Sequence, residues 1–117
     1  MARQAATDTC SAPASSPAAD IHLGDLSGAA ADAEFAAFAK AVAHPVRVRI
    51  LRMLAKREAR TCSVIVDELP LAQSTVSEHL RILKNAGLVR ANEKGLRVSY
   101  CVVPEALRRF KALLDAL

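Results

Sequence analysis

Leu69-Pro70-Leu71-Ala72-Gln73-Ser74-Thr75-Val76-Ser77-Glu78-His79-Leu80-Arg81-Ile82-Leu83-Lys84-Asn85-Ala86-Gly87-Leu88 is the stretch whose reading decides the fold. Pro70 ends whatever precedes it, because it fixes φ and removes a backbone donor. From Gln73 or Ser74 to Ala86, Val76, Leu80 and Leu83 recur at i, i+4 and i+7, the apolar stripe of a helix that rests one face on a core. Gly87 suits the residue that closes such a helix, and Leu88 suits the hydrophobic contact that goes with it. Just upstream, Thr61 and Ser63 are candidate N-caps for a short helix carrying Val64, Ile65, Val66 and Leu69. A turn of about three residues would join the two helices, the geometry of a helix-turn-helix.

Downstream of Gly87 the period changes from that of a helix to that of a strand. Leu88 to Asn92, a turn at Glu93-Lys94-Gly95, and Leu96 to Val102 read as an antiparallel hairpin. In its second strand Leu96, Val98, Tyr100 and Val102 would face the core, with Arg97, Ser99 and Cys101 on the other side. Pro104 opens a final helix whose apolar face is Leu107, Phe110, Leu113, Leu114 and Leu117. Upstream, Phe35, Phe38 and Val42 mark a helix beginning near Ala30. His44-Pro45 stops it, and Pro45 then starts another helix reaching Lys56. That helix would turn Val46, Ile50, Met53 and Leu54 inward and Arg47, Arg49 and Arg52 outward. The expected architecture is mainly α with a β-hairpin, a winged helix-turn-helix with four helices, the hairpin and a fifth helix in that order. It occupies 29–117. Residues 1–28, rich in Ala, Ser, Pro and Thr, read as a flexible N-terminal arm.

Charge is divided unevenly between these parts. Residues 1–44 carry two Lys/Arg against five acids, and residues 45–117 carry fourteen against seven, so net charges are −3 and +7. A basic folded part attracts polyanions and binds them more tightly at low salt. No apolar run approaches the roughly 18 residues that a membrane span requires, and the N-terminus has no secretory pattern, so a cytoplasmic protein without membrane attachment is expected. An enzyme is disfavoured by the lack of a nucleophile with a paired base, a phosphate-cradling glycine loop or clustered carboxylates. Cys10, Cys62 and Cys101 are too scattered for a disulfide scaffold, and a reducing compartment would leave them as thiols.

A helix-turn-helix followed by a basic hairpin places its second helix in the major groove of DNA and the wing against the backbone or minor groove. Gln73, Ser74, Thr75 and Ser77 are suited to base edges and phosphates, and His79, Arg81 and Lys84 add donors and charge. Arg90, Lys94 and Arg97 are the wing's candidate contacts. The apolar faces of the first and last helices exceed what one small domain can cover, so a homodimer joined through them is expected.

With these residues in place, Phe38 to Leu51, containing His44, Pro45, Arg47 and Ile50, and Leu69 to Val89, containing Gln73, Ser77, His79, Lys84 and Gly87, resemble the ArsR/SmtB family of metal-responsive repressors. The resemblance covers 33–117 and implies a dimeric repressor of a metal or metalloid resistance operon, with the first and last helices at the dimer interface. Ala72 departs from the serine that commonly caps the recognition helix. A zinc site in the last helix is not supported, since that helix offers Asp115 and no histidine. The family's arsenic-type site uses two or three cysteines where this chain has Cys62 alone. Another family arrangement joins cysteines of the arm to one in the third helix, which Cys10 and Cys62 could reproduce.

Thiolates select soft ions, so As(III), Sb(III) or Hg(II) on Cys62, Cys101 and Cys10 is the expected inducer chemistry, with no permanently bound cofactor. Cys62 in a first helical turn would have its thiol pKa lowered by the helix dipole. The alternatives are a thiol-based redox or sulfide-sensing repressor of the same fold, and a winged-helix module that binds protein. His44 reads as a cap or core-edge residue, and His22 belongs to the arm.

Overall fold

The structure, a computed structural model, describes residues 25–56 and 60–117. Within them the order is α1 (Ala29–Ala41), α2 (Pro45–Leu54), β1 (Arg60–Thr61), α3 (Cys62–Glu68), α4 (Gln73–Asn85), β2 (Val89–Lys94), β3 (Arg97–Val102) and α5 (Pro104–Asp115). This is the winged helix-turn-helix expected of the sequence. The arm expected over 1–28, with Cys10 and His22, lies outside the described residues except for its last four.

Each helix starts for a local reason. α1 is mostly alanine, the strongest helix former, with Asp32 in its first turn and Lys40 in its last to complement the helix dipole. At α2 the His44 backbone is extended, its Nδ1 accepts the Val46 N–H at 3.1 Å, and Pro45 fills the first turn. Thr61 caps α3 by accepting the Val64 N–H on its hydroxyl at 3.3 Å. α4 has no such help, since Ala72 is its N-cap in the extended backbone a cap requires but has no side chain to accept with. Ala72→Ser supplies the acceptor, and the expected gain is about 1 kcal/mol. In a domain of this size that raises the melting temperature by roughly 4–8 °C, measurable by calorimetry.

α4 ends in a Schellman motif. The Leu88 N–H donates to the Leu83 carbonyl at 3.1 Å and the Gly87 N–H to that of Lys84 at 2.9 Å, with Gly87 at φ 85°. Leu88 is thereby delivered into the core. The hairpin turns on two residues, Gly95 and Leu96, with Lys94 opposite Arg97, so the turn lies one residue further along than the sequence reading placed it. Gly95, at φ 64°, takes the first central position, where the primed turns that match strand twist demand glycine. Leu96, expected to face the core, is instead fully exposed at the tip, beyond the last paired residues.

β1 was not anticipated. It pairs with β3 through Arg60 opposite Tyr100 and Thr61 opposite Ser99, making a three-stranded antiparallel sheet in the order β1-β3-β2. This pairing ties the start of α3 to the wing. The core lies between the helices and one sheet face. Ile50, Leu54, Ile65, Val76, Leu80, Leu83 and Leu88 are wholly buried there, each adding about 1.5–3 kcal/mol by leaving water.

α1 and α5 pack on one another. Phe110 meets Phe35 and Phe38 with ring centroids 5.9 and 5.3 Å apart. Arg109 forks onto Glu34 at 2.8 and 2.9 Å and also donates to the Asp25 carbonyl at 2.9 Å. The hydrogen bonds from Arg109 hold the Glu34 carboxyl below its usual pKa. Leu113 completes this contact in the core, while Leu114 and Leu117 stay 55% and 87% exposed.

Candidate nucleic-acid interface

α4 buries Val76, Leu80 and Leu83 and turns Gln73, Ser74, Thr75, Ser77, Glu78, Arg81 and Lys84 to solvent. The exposed set begins at the helix N-terminus. There the first-turn N–H groups and the positive end of the dipole favour an anion, and no side-chain cap occupies them. Short hydroxyl and amide side chains at that end can follow a groove floor, and the two cations further along can reach the flanking phosphates. Arg81 is held along the helix by Glu78, at 2.9 and 2.5 Å. This pairing, which the residue-type reading overlooked, fixes the guanidinium and obliges a phosphate to compete for it. The Glu78 carboxyl is correspondingly held below its ordinary pKa by the Arg81 hydrogen bonds.

His79 does not share that face. It is 9% exposed, and its ring packs on His44 and Arg47. The expectation that it offers a donor to DNA is corrected accordingly, because its position in the helical period puts it beside Leu80 on the inner side. Arg47, read as outward, also turns inward to the same cluster, while Arg49 and Arg52 are exposed as expected. In the wing Lys94 and Arg97 are exposed cross-strand partners next to the turn, and Arg90 is half-buried nearer the base.

The cysteines are arranged differently from the sulfur cluster expected. Cys62 is a free, half-buried thiol packed against the core. Burial pushes its pKa up, contrary to the expected lowering, because desolvation disfavours the thiolate. Tyr100 lies close enough to Cys62 to feel its charge, though burial is the larger reason its own pKa is raised. Cys101 is 1% exposed and disulfide-bonded, which corrects the expectation that it is a thiol. It alternates along β3 with Tyr100 and Val102, which pack in the core, and so belongs to the opposite face of the strand from the one that meets Cys62. Cys10 lies outside the described residues. Among the described residues no three His, Cys, Asp or Glu side chains come together as a metal site. A soft-metal centre therefore does not fit the described donor set.

A family model described as a helix-turn-helix domain matches residues 42–91, from the C-cap of α1 into β2. An HTH-type transcriptional regulator of Methanocaldococcus jannaschii is 38% identical over 78 residues, 67% of this chain and 88% of its own length. The HTH-type transcriptional repressor SmtB of Mycobacterium tuberculosis is 39% identical over 79 residues, 67% of this chain but only 56% of SmtB. Among solved structures, the homodimeric winged helix-turn-helix domain of a possible ArsR-family regulator from Mycobacterium bovis superposes with a TM-score of 0.64 at 30% identity, covering 75% of this chain and 82% of that one. The chain belongs to the ArsR/SmtB family of winged-helix transcriptional regulators. Proteins of this kind bind DNA and are not enzymes. No helix among the described residues is long and apolar enough to cross a membrane.

Proposed function

We propose that this ArsR/SmtB-family chain is a homodimeric repressor that docks the N-terminus of α4 in the major groove of operator DNA, sets its wing on the flanking backbone, and is released through its cysteines. The observation that carries the DNA reading is the split of α4 into a buried aliphatic face and an exposed polar one, with Arg90, Lys94 and Arg97 following on the wing. The dimer reading is supported by Leu114, left bare on the helix that α1 packs against, and by Leu117, exposed just past its C-cap. The test is fluorescence anisotropy on the promoter region of the chain's own gene over a salt series. Affinity should fall steeply with salt and exceed that for a scrambled duplex. A flat salt response would end the reading in favour of a protein-binding winged helix.

Release by As(III), Sb(III) or Hg(II) requires two or three thiolates in one place, which would have to come from Cys62, Cys10 and a reduced Cys101. The disulfide at Cys101 favours the other sulfur chemistry, in which an oxidant that takes two electrons and two protons from a pair of thiols, or a sulfane-sulfur donor that transfers a sulfur atom to one thiolate, takes the repressor off its operator. Under that reading, a dithiol reductant raises operator affinity, and Cys101→Ser loses the difference between reduced and oxidised protein. Cys62→Ser leaves DNA binding intact in either case. If arsenite or mercuric ion releases the reduced protein and Cys62→Ser abolishes that response, the metal reading stands instead.

A further inference from the structure

Three side chains, Arg47, His44 and His79, converge where α1, α2 and α4 meet, apart from the exposed polar face of α4. Arg47 of α2 donates from Nε to the Ala41 carbonyl, the last residue of α1, at 2.6 Å, and its Nη1 stands 3.2 Å from Nδ1 of His79 on α4. His44 accepts the Val46 N–H on Nδ1, so its ring is fixed at the head of α2, and that ring lies against His79 with centroids 4.5 Å apart. One guanidinium thus touches all three helices.

The chemistry of the donors settles the protonation state. A guanidinium has only N–H groups, so the nitrogen it approaches must present a lone pair. His79 is then the neutral tautomer with its proton on Nε2. An imidazolium would aim an N–H at another donor and set two cations 3.2 Å apart. We infer that Arg47 is a positioning residue for the recognition helix, holding α4 to α1 and α2 through a hydrogen bond that only neutral His79 accepts.

The charged and titratable groups acting on His79 are few. Burial lowers its pKa below the usual 6.5 first, then His44 and Arg47 from the α2 side, and Glu78 on its own helix acts the other way. Among the described residues α3 and β2, which also pack on α4, bring no charged group that acts on it. Because the folded value is depressed, the bond contributes stability that is present above the ordinary imidazole value and is lost as pH falls through the lowered one. α4 keeps its anchors Val76, Leu80 and Leu83 when that happens, so the expected consequence is a loosened recognition helix in a folded chain.

The test uses the full chain without DNA or inducer, so its failure is separable from that of the operator reading. Imidazole nitrogen spectra should show His79 neutral with Nε2 protonated at neutral pH, titrating below 6.5. Amide-exchange protection of Val76 to Leu83, corrected for intrinsic rates, should drop by about tenfold relative to Leu113 as His79 takes up its proton, the scale of one hydrogen bond to a charged donor. His79→Asn, whose Oδ1 can accept from Arg47 without titrating, should keep α4 protected across the same range. Arg47→Met should leave α4 poorly protected even at neutral pH. An Nδ1-protonated tautomer, an α4 protection that does not follow the His79 titration, or an unchanged pH dependence in His79→Asn would each overturn the inference, and the last decides even if Arg47→Met fails to fold.

Discussion

A variant with Arg81, Lys84, Arg90 and Arg97 all replaced by Ala is expected to lose operator binding by on the order of 10³-fold or more at physiological salt while its fold and melting temperature hold. All four lie on the surface proposed to face DNA: two along the exposed face of α4 and two on the wing. Each phosphate neutralised releases counterions, so each lost contact should lower the slope of log K against log salt by about 0.9. A dimer loses every contact twice. Three of the side chains are exposed and Arg90 is only half-buried, so the cost to stability should stay within about 0.5 kcal/mol apiece, away from core and caps. Arg81 alone should cost less than Lys84 alone, because its guanidinium is already shared with Glu78, and Glu78→Gln should tighten DNA binding slightly. Normal operator affinity in the fourfold variant would contradict the assignment of this surface.

The residues that made the fold legible are those that act locally. Pro45 and Pro104 open helices, Pro70 separates two, and Gly87 closes one, and each does so through its own backbone whatever surrounds it. The stripe of Val76, Leu80 and Leu83 was equally readable, because three residues at helical spacing are redundant evidence. β1 carries no such redundancy. Two residues, Arg60 and Thr61, show no period, and they become a strand only because β3 lies alongside. The turn slipped by one residue for a related reason. Residue type alone suggests a loop that ends at Gly95, whereas a two-residue hairpin needs Gly95 at the first central position, which sends Leu96 to solvent.

Which polar side chains of α4 are exposed was readable from residue type and helical phase, except at His79. There the phase alone excluded an outward position, and the chemistry of histidine argued for one. Its partner Arg47 lies 32 positions away in sequence, so the contact is tertiary and carries no local signal. Arg47 was misread for the same reason, since a helix wheel assigns arginines outward unless a specific acceptor draws one in. The state of Cys101 was equally hidden. A count of cysteines and a compartment argument say nothing about which sulfur is bonded.

Leu114→Glu combined with Leu117→Glu should convert the protein to a monomer while leaving the melting temperature of the monomeric unit nearly unchanged. Within one chain these side chains are 55% and 87% exposed, so the substitution removes little burial and places two charges in water. Across a two-fold interface built on α1 and α5 the same change buries carboxylates from both protomers close to one another. An unpaired buried charge costs several kcal/mol, enough to move a micromolar dimer beyond millimolar, where each 1.4 kcal/mol is tenfold. Phe110→Ala separates the two levels, because Phe110 packs on Phe35 and Phe38 inside the chain and its loss should unfold the helix pair at a cost of about 3–5 kcal/mol. DNA binding should follow the dimer, since one half-site supplies too few contacts to hold the protein on its operator. Sedimentation velocity checks the first result and anisotropy the second. A Leu114/Leu117 variant that still sediments as a dimer would move the interface off α5, and one that binds operator normally as a monomer would remove the need for a dimer.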